Sequence, residues 1–350
     1  MKTHPGSQPH KHFRPSKHFG IGIGALIALT CLAAAVPAHA EVRELRVTRQ
    51  LGLGYLQLYV TEDQKLIEKH AKAAGLGDVK VTYLPLGSPS TINDAILSGS
   101  ADIAGTGVPP FILLWDKTSG SQKIRALTAL NAQPAFLNAN KPGIVALKDF
   151  GPNDRIALPS VKSSFQAIIL DMAAEKMLGE DKRTALDQLT VSMAHPDGAA
   201  ALMSGRTEIT GHFTSPPFQY QELQNPAVHR VLSSYDITGP ATFSVLWMTG
   251  KFHDANPKLS AAIVAAIDEA TDFIQKNPDE TAKIFLKIEH SDLQAPFIAG
   301  LLRDPDIRYS AAPENITKFS DFMARTGATK QKAASWKDLF FSDIQDRTGS

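Results

Sequence analysis

Beyond residue 41, short β-branched runs alternate with longer segments whose apolar residues recur every three or four positions. The short runs predict strands and the longer segments predict helices. In the first part of the chain this pattern predicts strands at 45–48, 79–83 and 102–104, and helices at about 55–74 and 89–97. Ser88 and Pro89 are typical of the N-cap and first turn of a helix. The alternation predicts an α/β fold built on parallel sheets.

The same order of five elements returns further along the chain. It predicts strands at 155–158, 189–191 and 208–210, and helices at about 166–178 and 197–204. Ile103 and Gly105 correspond to Ile209 and Gly211 at a fixed offset of 106 residues. Chance similarity of two αβ turns is the alternative interpretation, but the repeated order favours two similarly built lobes.

The predicted lobes divide the chain unevenly. Lobe I is predicted to comprise 41–131 and 251–350, and lobe II to comprise 132–250, with connections near 131–134 and 248–250. The last third is predicted to be helical, with helices starting at Asn256-Pro257 and Asn277-Pro278 and further helices at 293–302, 313–326 and 330–341. Because open α/β sheets bind ligands at the carboxyl ends of their strands, a cleft between the lobes is the predicted site.

The first 40 residues have the pattern of a signal peptide. Basic residues (Lys2, Lys11, Arg14 and Lys17) precede an apolar run from Ile21 to Val36, and Ala38-His39-Ala40 ends it with an A-x-A cleavage motif. The run of about 16 residues is short for a transmembrane anchor, which is the alternative. We therefore expect cleavage before Glu41 and export to the periplasm.

Composition narrows the possible chemistry. The 350 residues are 43% apolar and 20% charged, with 36 Lys and Arg against 35 Asp and Glu. This balance does not favour a basic nucleic-acid surface. The single cysteine, Cys31, lies in the predicted leader, so the mature chain is expected to have no disulfide, thiolate metal site or cysteine nucleophile.

The loops predicted to face the cleft are rich in glycine and small hydroxyl residues. Several run directly into helices, whose free N–H groups bind anions, and the hydroxyls add neutral donors. Gly52-Leu53-Gly54 lacks the third glycine of a dinucleotide-binding fingerprint, and no named catalytic signature occurs. The histidines do not have metal-ligand spacing. His212 ends a predicted strand at the cleft, where a surface, capping or ligand-binding role remains open.

Four segments resemble the periplasmic solute-binding proteins of the nitrate, taurine and aliphatic-sulfonate class. They are 97–109, 155–165, the stretch from Lys251-Phe252 to Asn256-Pro257, and 336–340. The resemblance implies a two-lobed type II periplasmic-binding fold, with central sheets flanked by helices. It also implies a monomeric receptor without cofactor, metal, catalytic residues or nucleic-acid partner. Such a receptor delivers a small, often anionic solute, such as a sulfonate, taurine, nitrate or a carboxylate, to an ABC transporter permease.

The resemblance also implies which positions contact the solute. Matched residue by residue, the family's contacts fall on Leu53, Gly54, Ser88, Thr106, Gly107, Ser163, Ser164, Phe165, His212 and Thr214. The last loop, 212–217, departs from the acidic or aromatic-Asp-Pro pattern of sulfonate binders. The resemblance therefore leaves the identity of the solute open.

Two other classes of function are consistent with a two-lobed chain. An exported enzyme on the same fold would use His212 as general base and would need a nucleophile or metal that the sequence does not specify. The effector domain of a transcription regulator would need a DNA-binding module at one end, where this chain has its predicted leader.

Overall fold

The computed structural model describes residues 40–350, and Glu41–Ser350 form one unit. The predicted leader, including Cys31, lies outside the described residues except for Ala40. The strands in the described residues are β1 Glu44–Arg49, β2 Lys80–Pro85, β3 Ile103–Gly107, β4 Arg125–Ala132, β5 Phe136–Ala139, β6 Arg155–Leu158, β7 Thr190–Ser192, β8 Ile209–Thr214, β9 His229–Ser233, β10 Thr242–Met248 and β11 Arg308–Tyr309.

These strands form two sheets, each of which belongs to one lobe. The first has the order β11-β4-β10-β3-β1-β2 and the second the order β7-β6-β8-β5-β9. In each sheet three parallel strands (β2-β1-β3 or β7-β6-β8) are followed by an antiparallel strand (β10 or β5) and its antiparallel neighbour (β4 or β9). The repeat predicted from the sequence is therefore confirmed at the level of topology, and the fold is a two-lobed α/β fold.

The chain crosses between the sheets twice. It leaves the first sheet after β4 and enters the second at β5, close to the predicted connection at 131–134. It returns between β9 and β10, across residues 234–241. The sequence pattern predicts this return at 248–250, after β10, and that prediction is wrong. The pattern could not assign β10 because all seven of its residues are buried and its partners, β3 and β4, lie over 100 positions earlier.

Helices cover the faces of both sheets. They are α1 Leu56–Gln64, α2 Leu66–Ala73, α3 Pro89–Leu97, α4 Val108–Thr118, α5 Phe165–Leu178, α6 His195–Ser204, α7 Phe218–Glu222, α8 Tyr235–Thr238, α9 Gly250–Ala255, α10 Pro257–Lys276, α11 Pro278–Glu289, α12 Ala295–Leu302, α13 Thr317–Arg325 and α14 Trp336–Leu339. Within residues 40–350, no helix combines the length and apolar character needed to cross a bilayer.

Two predicted helices differ from the observed ones. The helix predicted over 55–74 is divided into α1 and α2, because Lys65 adopts a left-handed conformation with φ of 52°. The helix predicted over 330–341 is reduced to the single turn α14. No glycine or proline signals the break at Lys65, so the local pattern alone could not predict it.

The start of α10 shows how the beginning of the described chain is anchored. Asn256 precedes the first residue of α10 but makes no side-chain cap. The carboxylate of Glu41 instead accepts hydrogen bonds from the backbone N–H groups of Lys258 at 3.0 Å and Leu259 at 2.7 Å. A carboxylate at a helix N-terminus is also favoured by the helix dipole. Asn256 Oδ1 accepts a hydrogen bond from Val42 N at 2.9 Å.

The helical layer buries a continuous apolar stripe. Along α10, buried residues recur at three- or four-residue spacing from Leu259 to Ile274, and this face packs against α1 and α2. Burying each large aliphatic side chain contributes about 1.5–3 kcal/mol. This packing fixes α1, and with it the loop that follows β1.

Candidate functional site

Loops at the carboxyl ends of the parallel strands of the two sheets meet each other. Leu53 N donates a hydrogen bond to Pro216 O at 2.9 Å. Ser90 Oγ and Ser160 Oγ lie 3.3 Å apart, and a Cβ added to Gly107 would lie 3.1 Å from Phe165 Cβ. We call the boundary formed by these loops the interlobe cleft. The carboxyl-terminal edge of open α/β sheets is where this type of fold binds ligands.

The turn after β1 requires a glycine. Gly54 O accepts hydrogen bonds from Asn131 Nδ2 at 2.6 Å and from Ser244 Oγ at 2.7 Å. A Cβ on Gly54 would lie only 2.8 Å from the ring of Phe243. Leu53, its predicted partner in ligand binding, is fully buried, and its carbonyl accepts a hydrogen bond from Tyr309 Oη at 3.1 Å.

At the end of β3, Thr106 is buried and its hydroxyl is used within lobe I. Thr106 Oγ1 accepts a hydrogen bond from Trp247 Nε1 at 2.8 Å and donates one to Gly107 O at 3.1 Å. The indole of Trp247 also packs near Phe111, with ring centroids 6.5 Å apart. This hydroxyl therefore ties β3 to β10.

The predicted serines act as helix caps or lie in loops. Ser164, fully buried, accepts a hydrogen bond from Ala167 N at 3.2 Å and caps α5. Ser88, half-buried, accepts one from Thr91 N at 3.3 Å and caps α3. Ser163 is half-buried in the loop that leads to α5. Both caps follow the geometry expected for serine at a helix N-terminus.

Phe165 joins the lobes through aromatic contacts. Its ring centroid lies 4.7 Å from that of Phe243 and 5.3 Å from that of Phe319. Phe243 belongs to β10 of the first sheet and Phe319 to α13. A residue predicted as a ligand contact therefore also packs across the interlobe cleft.

A neutral polar group lies where α5 and α6 begin, and the sequence analysis did not predict it. Thr214 Oγ1 and His195 Nδ1 are 2.8 Å apart, and Gln166 Nε2 is 3.5 Å from His195 Nε2. Burial, together with the neighbouring His212, holds the pKa of His195 well below its usual value. The imidazole of His195 is therefore uncharged. His195 carries no sequence signal beyond its place in the first turn of a helix.

His212 is a buried histidine rather than a surface or capping one. Its Nδ1 forms a hydrogen bond with Glu222 Oε1, and both side chains are fully buried. Its Nε2 has no hydrogen-bond partner among the described residues. A Cβ added to Gly198 would lie 2.5 Å from that atom, so α6 covers the ring closely. A ring enclosed in this way cannot reach a substrate without movement of α6.

The loop after β1 is also held by buried charged groups that the sequence did not single out. Arg49, 3% exposed, lies 4.0 Å over the ring of Tyr59 and pairs with Glu62 at 3.0 Å. Glu289 accepts hydrogen bonds from Gly52 N at 2.7 Å and from the Tyr59 hydroxyl. Burial raises the pKa of Glu289. The side chains of Arg49 and Glu289 therefore make these contacts within lobe I.

Two cavities lie beside the predicted loops, and neither is lined by the predicted contact residues. A cavity of about 350 Å³ separates the second-sheet helices α6 and α7 from the end of α11, and is lined by residues that include Met203, Phe218, Phe285 and Glu289. A larger cavity of about 620 Å³ lies near β11 and is lined by residues that include Arg308 and Glu314. Within residues 40–350, no three His, Cys, Asp or Glu residues are grouped so that they could hold a metal ion.

The fold and cleft define a two-lobed protein of the periplasmic-binding type. Residues 41–288 match the NMT1-like family, and the chain belongs to that family. No curated protein matches the sequence at a significant level.

Three solved structures share this fold at low sequence identity. The periplasmic aliphatic sulphonate-binding protein SsuA of Escherichia coli is 16% identical, with a TM-score of 0.63 over 86% of this chain and 93% of that one. The alkanesulfonate-binding protein SsuA of Xanthomonas axonopodis pv. citri is 15% identical, with a TM-score of 0.65 over 86% and 97%. The periplasmic nitrate-binding protein NrtA of Synechocystis PCC 6803 is 16% identical, with a TM-score of 0.66 over 85% and 84%.

Proposed function

We propose that this protein is an extracytoplasmic receptor that captures a small solute in the interlobe cleft and delivers it to an ABC importer. The observation that carries the proposal is the direct contact between loops of the two sheets, as between Leu53 N and Pro216 O. Two lobes joined by two crossings can open and close around a ligand by hinge motion. The NMT1-like family and the folds of SsuA and NrtA support the same role.

In this proposal the lobes follow the sheets. Lobe I comprises 41–132 and 242–350, and lobe II comprises 133–241. The solute is held by the loops that carry the predicted residues, some of which contact it while others shape the cleft: Leu53, Gly54, Ser88, Thr106, Gly107, Ser163, Ser164, Phe165, His212 and Thr214. Because Thr106, Ser164 and His212 have partners within their own lobes, they act by shaping the cleft or by exchanging these bonds when the lobes open.

The solute we propose is small and carries an anionic or strongly polar end. The N-terminal turns of α5 and α6 face the cleft, and helix N-termini favour negative charge. His195 is neutral and Arg49 is engaged with Glu62, so neutral donors and helix ends provide most of the recognition. A catalytic role is not part of the proposal, since the enclosure of His212 removes the candidate general base from the cleft.

Export is part of the same proposal. Glu41 is seated on the N-terminus of α10, whereas Ala40 is exposed. Cleavage between them would leave the structured unit intact and free in the periplasm, where we propose that it acts as a monomer. Mass spectrometry of the exported protein should give a chain beginning at Glu41, and a chain that retains the leader would contradict this part.

A ligand screen tests the receptor role. The purified protein should be stabilised against heat by a solute from a panel of nitrate, taurine, alkanesulfonates, carboxylates and compounds with amide or urea groups. A ligand at 100 times its dissociation constant adds about 2.7 kcal/mol to the free energy of unfolding. Conversion of the bound compound to a product would contradict the receptor role and support an exported enzyme.

A further inference from the structure

Three buried polar atoms at the base of the interlobe cleft have no hydrogen-bond partner among the described residues. They are Oδ1 of Asn131 and both Oε1 and Nε2 of Gln133. The two side chains are 1% and 0% exposed. Leaving a buried polar group unpaired is destabilising, so an amide with both of its polar atoms unpaired requires an explanation.

The two amides lie where the chain passes from the first sheet to the second. Asn131 and Gln133 are two positions apart at the end of β4, and both approach Gly54. Gln133 Nε2 lies 3.1 Å from the position that a Cβ of Gly54 would occupy. Asn131 Nδ2 donates to Gly54 O at 2.6 Å, and because a carbonyl can only accept, this bond fixes Oδ1 of Asn131 as a free acceptor.

A second glutamine, Gln219 in α7, shows what a structural role at this crossing looks like. Gln219 Oε1 accepts a hydrogen bond from Phe136 N at 2.9 Å, and Gln219 Nε2 donates one to Pro134 O at 3.1 Å. Gln219 therefore holds the backbone of the crossing through both ends of its amide. Gln133, three positions before Phe136, makes neither kind of bond.

Gln133 lies beside residues that form the contact between the lobes. Gly54 and Phe243 come from the first sheet side, and the ring of Phe165 from lobe II packs 4.7 Å from that of Phe243. Opening of the lobes would separate Phe165 from Phe243 and uncover this position. The free amide atoms are thus placed where a solute would enter between the lobes.

The unpaired amide atoms determine which hydrogen-bond donors and acceptors such a solute must carry. Two acceptors, Asn131 Oδ1 and Gln133 Oε1, need N–H or O–H donors, while Gln133 Nε2 needs an acceptor. Nitrate and sulfonate groups carry only acceptors and would leave the two oxygens unpaired. An amide or urea group has N–H donors beside a carbonyl and satisfies both needs.

We propose that the solute carries an amide- or urea-type group that binds Asn131 and Gln133, in addition to its anionic or polar end. This inference rests on the proposed receptor function and specifies the class of its ligand. Gln133 is then a specificity-determining residue, since it pairs only with ligands that present donor and acceptor together. A site built to pair with donors rejects analogues that lack them by large factors.

The first test needs no ligand. Because the amide of Gln133 has no hydrogen-bond partner in the described residues to lose, the ligand-free Gln133→Met variant should melt close to the temperature of the parent. The matched control is Gln219→Met, which removes two backbone hydrogen bonds and should melt lower. If Gln133→Met melts as low as Gln219→Met, Gln133 has a structural partner and the proposal is overturned.

The second test compares ligands of equal shape. The compound 3-ureidopropionate carries a carboxylate and a urea, and 5-methylhexanoate is its hydrocarbon isostere without N–H donors. We expect ureido compounds of this kind to stabilise the parent, the isostere not to do so, and Gln133→Met to bind the ureido compound at least tenfold more weakly. Calorimetric titration measures each affinity.

Two other outcomes separate the inference from the proposed function. If 5-methylhexanoate, propanesulfonate or nitrate binds the parent and Gln133→Met equally tightly, the receptor function stands and the role of Gln133 is overturned. If no compound of either class stabilises the parent, the proposed site in the interlobe cleft is contradicted together with the inference.

Discussion

Thr106 and His212 occupy corresponding positions in the two lobes, 106 residues apart, each the fourth residue of its strand, β3 or β8. Both are fully buried, but they are used differently. Thr106 binds the indole of Trp247 within the first sheet, whereas His212 pairs with Glu222 beneath α6. The two lobes of the internal repeat therefore place these side chains at equivalent positions. The hydrogen bond that each side chain makes depends on the partner that its own lobe supplies.

The largest expected effect comes from removing the partner in lobe II. His212→Ala leaves the buried carboxyl of Glu222 without its histidine, and breaking a buried pair in this way costs about 3–5 kcal/mol. Thr106→Ala removes one acceptor from Trp247 Nε1, which costs about 1–3 kcal/mol. Chemical denaturation of both variants measures the difference. An equal loss of stability in His212→Ala and Thr106→Ala would contradict the view that the two positions are used differently.

A pH-dependent effect should distinguish α5 of lobe II. Burial and the neighbouring Asp187 raise the pKa of Asp171 to about 7. Because the folded state holds this proton more tightly than the unfolded state, the contribution of Asp171 is fully present below pH about 4 and is lost as the pH rises toward 7. Asp171→Asn should therefore raise the melting temperature relative to the parent more at pH 8 than at pH 4. The opposite trend would show that Asp171 is ionised in the folded protein across this range.

The smallest effect compares the two serine caps. Ser164 caps α5 from a fully buried position, and Ser88 caps α3 from a half-buried one. Loss of a cap typically costs about 1 kcal/mol. Ser164→Ala should lower the free energy of unfolding more than Ser88→Ala, because water can replace the lost hydrogen bond more readily at the half-buried Ser88. Thermal melting of the two variants shows which cap contributes more to stability. A larger loss for Ser88→Ala would contradict the prediction that the buried cap matters more.

Much of the fold could be predicted because its signals are local. The short β-branched runs indicated the parallel strands β1, β6 and β8, and Pro257 and Pro278 marked the starts of α10 and α11. The break at Lys65 and the sheet to which β10 belongs depend on tertiary contacts. A strand buried on both faces has the same apolar pattern whichever sheet it joins.

The candidate site was predictable only as a set of loops. Glycine and hydroxyl residues after strands indicated where the lobes meet, and contacts such as Ser90 with Ser160 are consistent with that placement. Which side chains point into the interior, and which polar atoms remain unpaired, is decided by neighbours far along the chain. Gln133 and His195 therefore carried no recognisable signal in the sequence.

The central claim is that the lobes open in the absence of solute and close upon it. Ser90 Oγ and Ser160 Oγ lie 3.3 Å apart across the interlobe cleft, and the only cysteine of the chain is Cys31 in the predicted leader. Oxidation of a Ser90→Cys/Ser160→Cys double variant therefore gives a single engineered disulfide that locks the lobes closed. Reduction releases the lobes.

Small-angle scattering of this variant without ligand measures the claim most directly. Formation of the disulfide is first verified by mass spectrometry. We expect a larger radius of gyration for the reduced protein than for the oxidised protein, because only the reduced lobes can separate. Identical scattering profiles in the two states would contradict a cleft that opens.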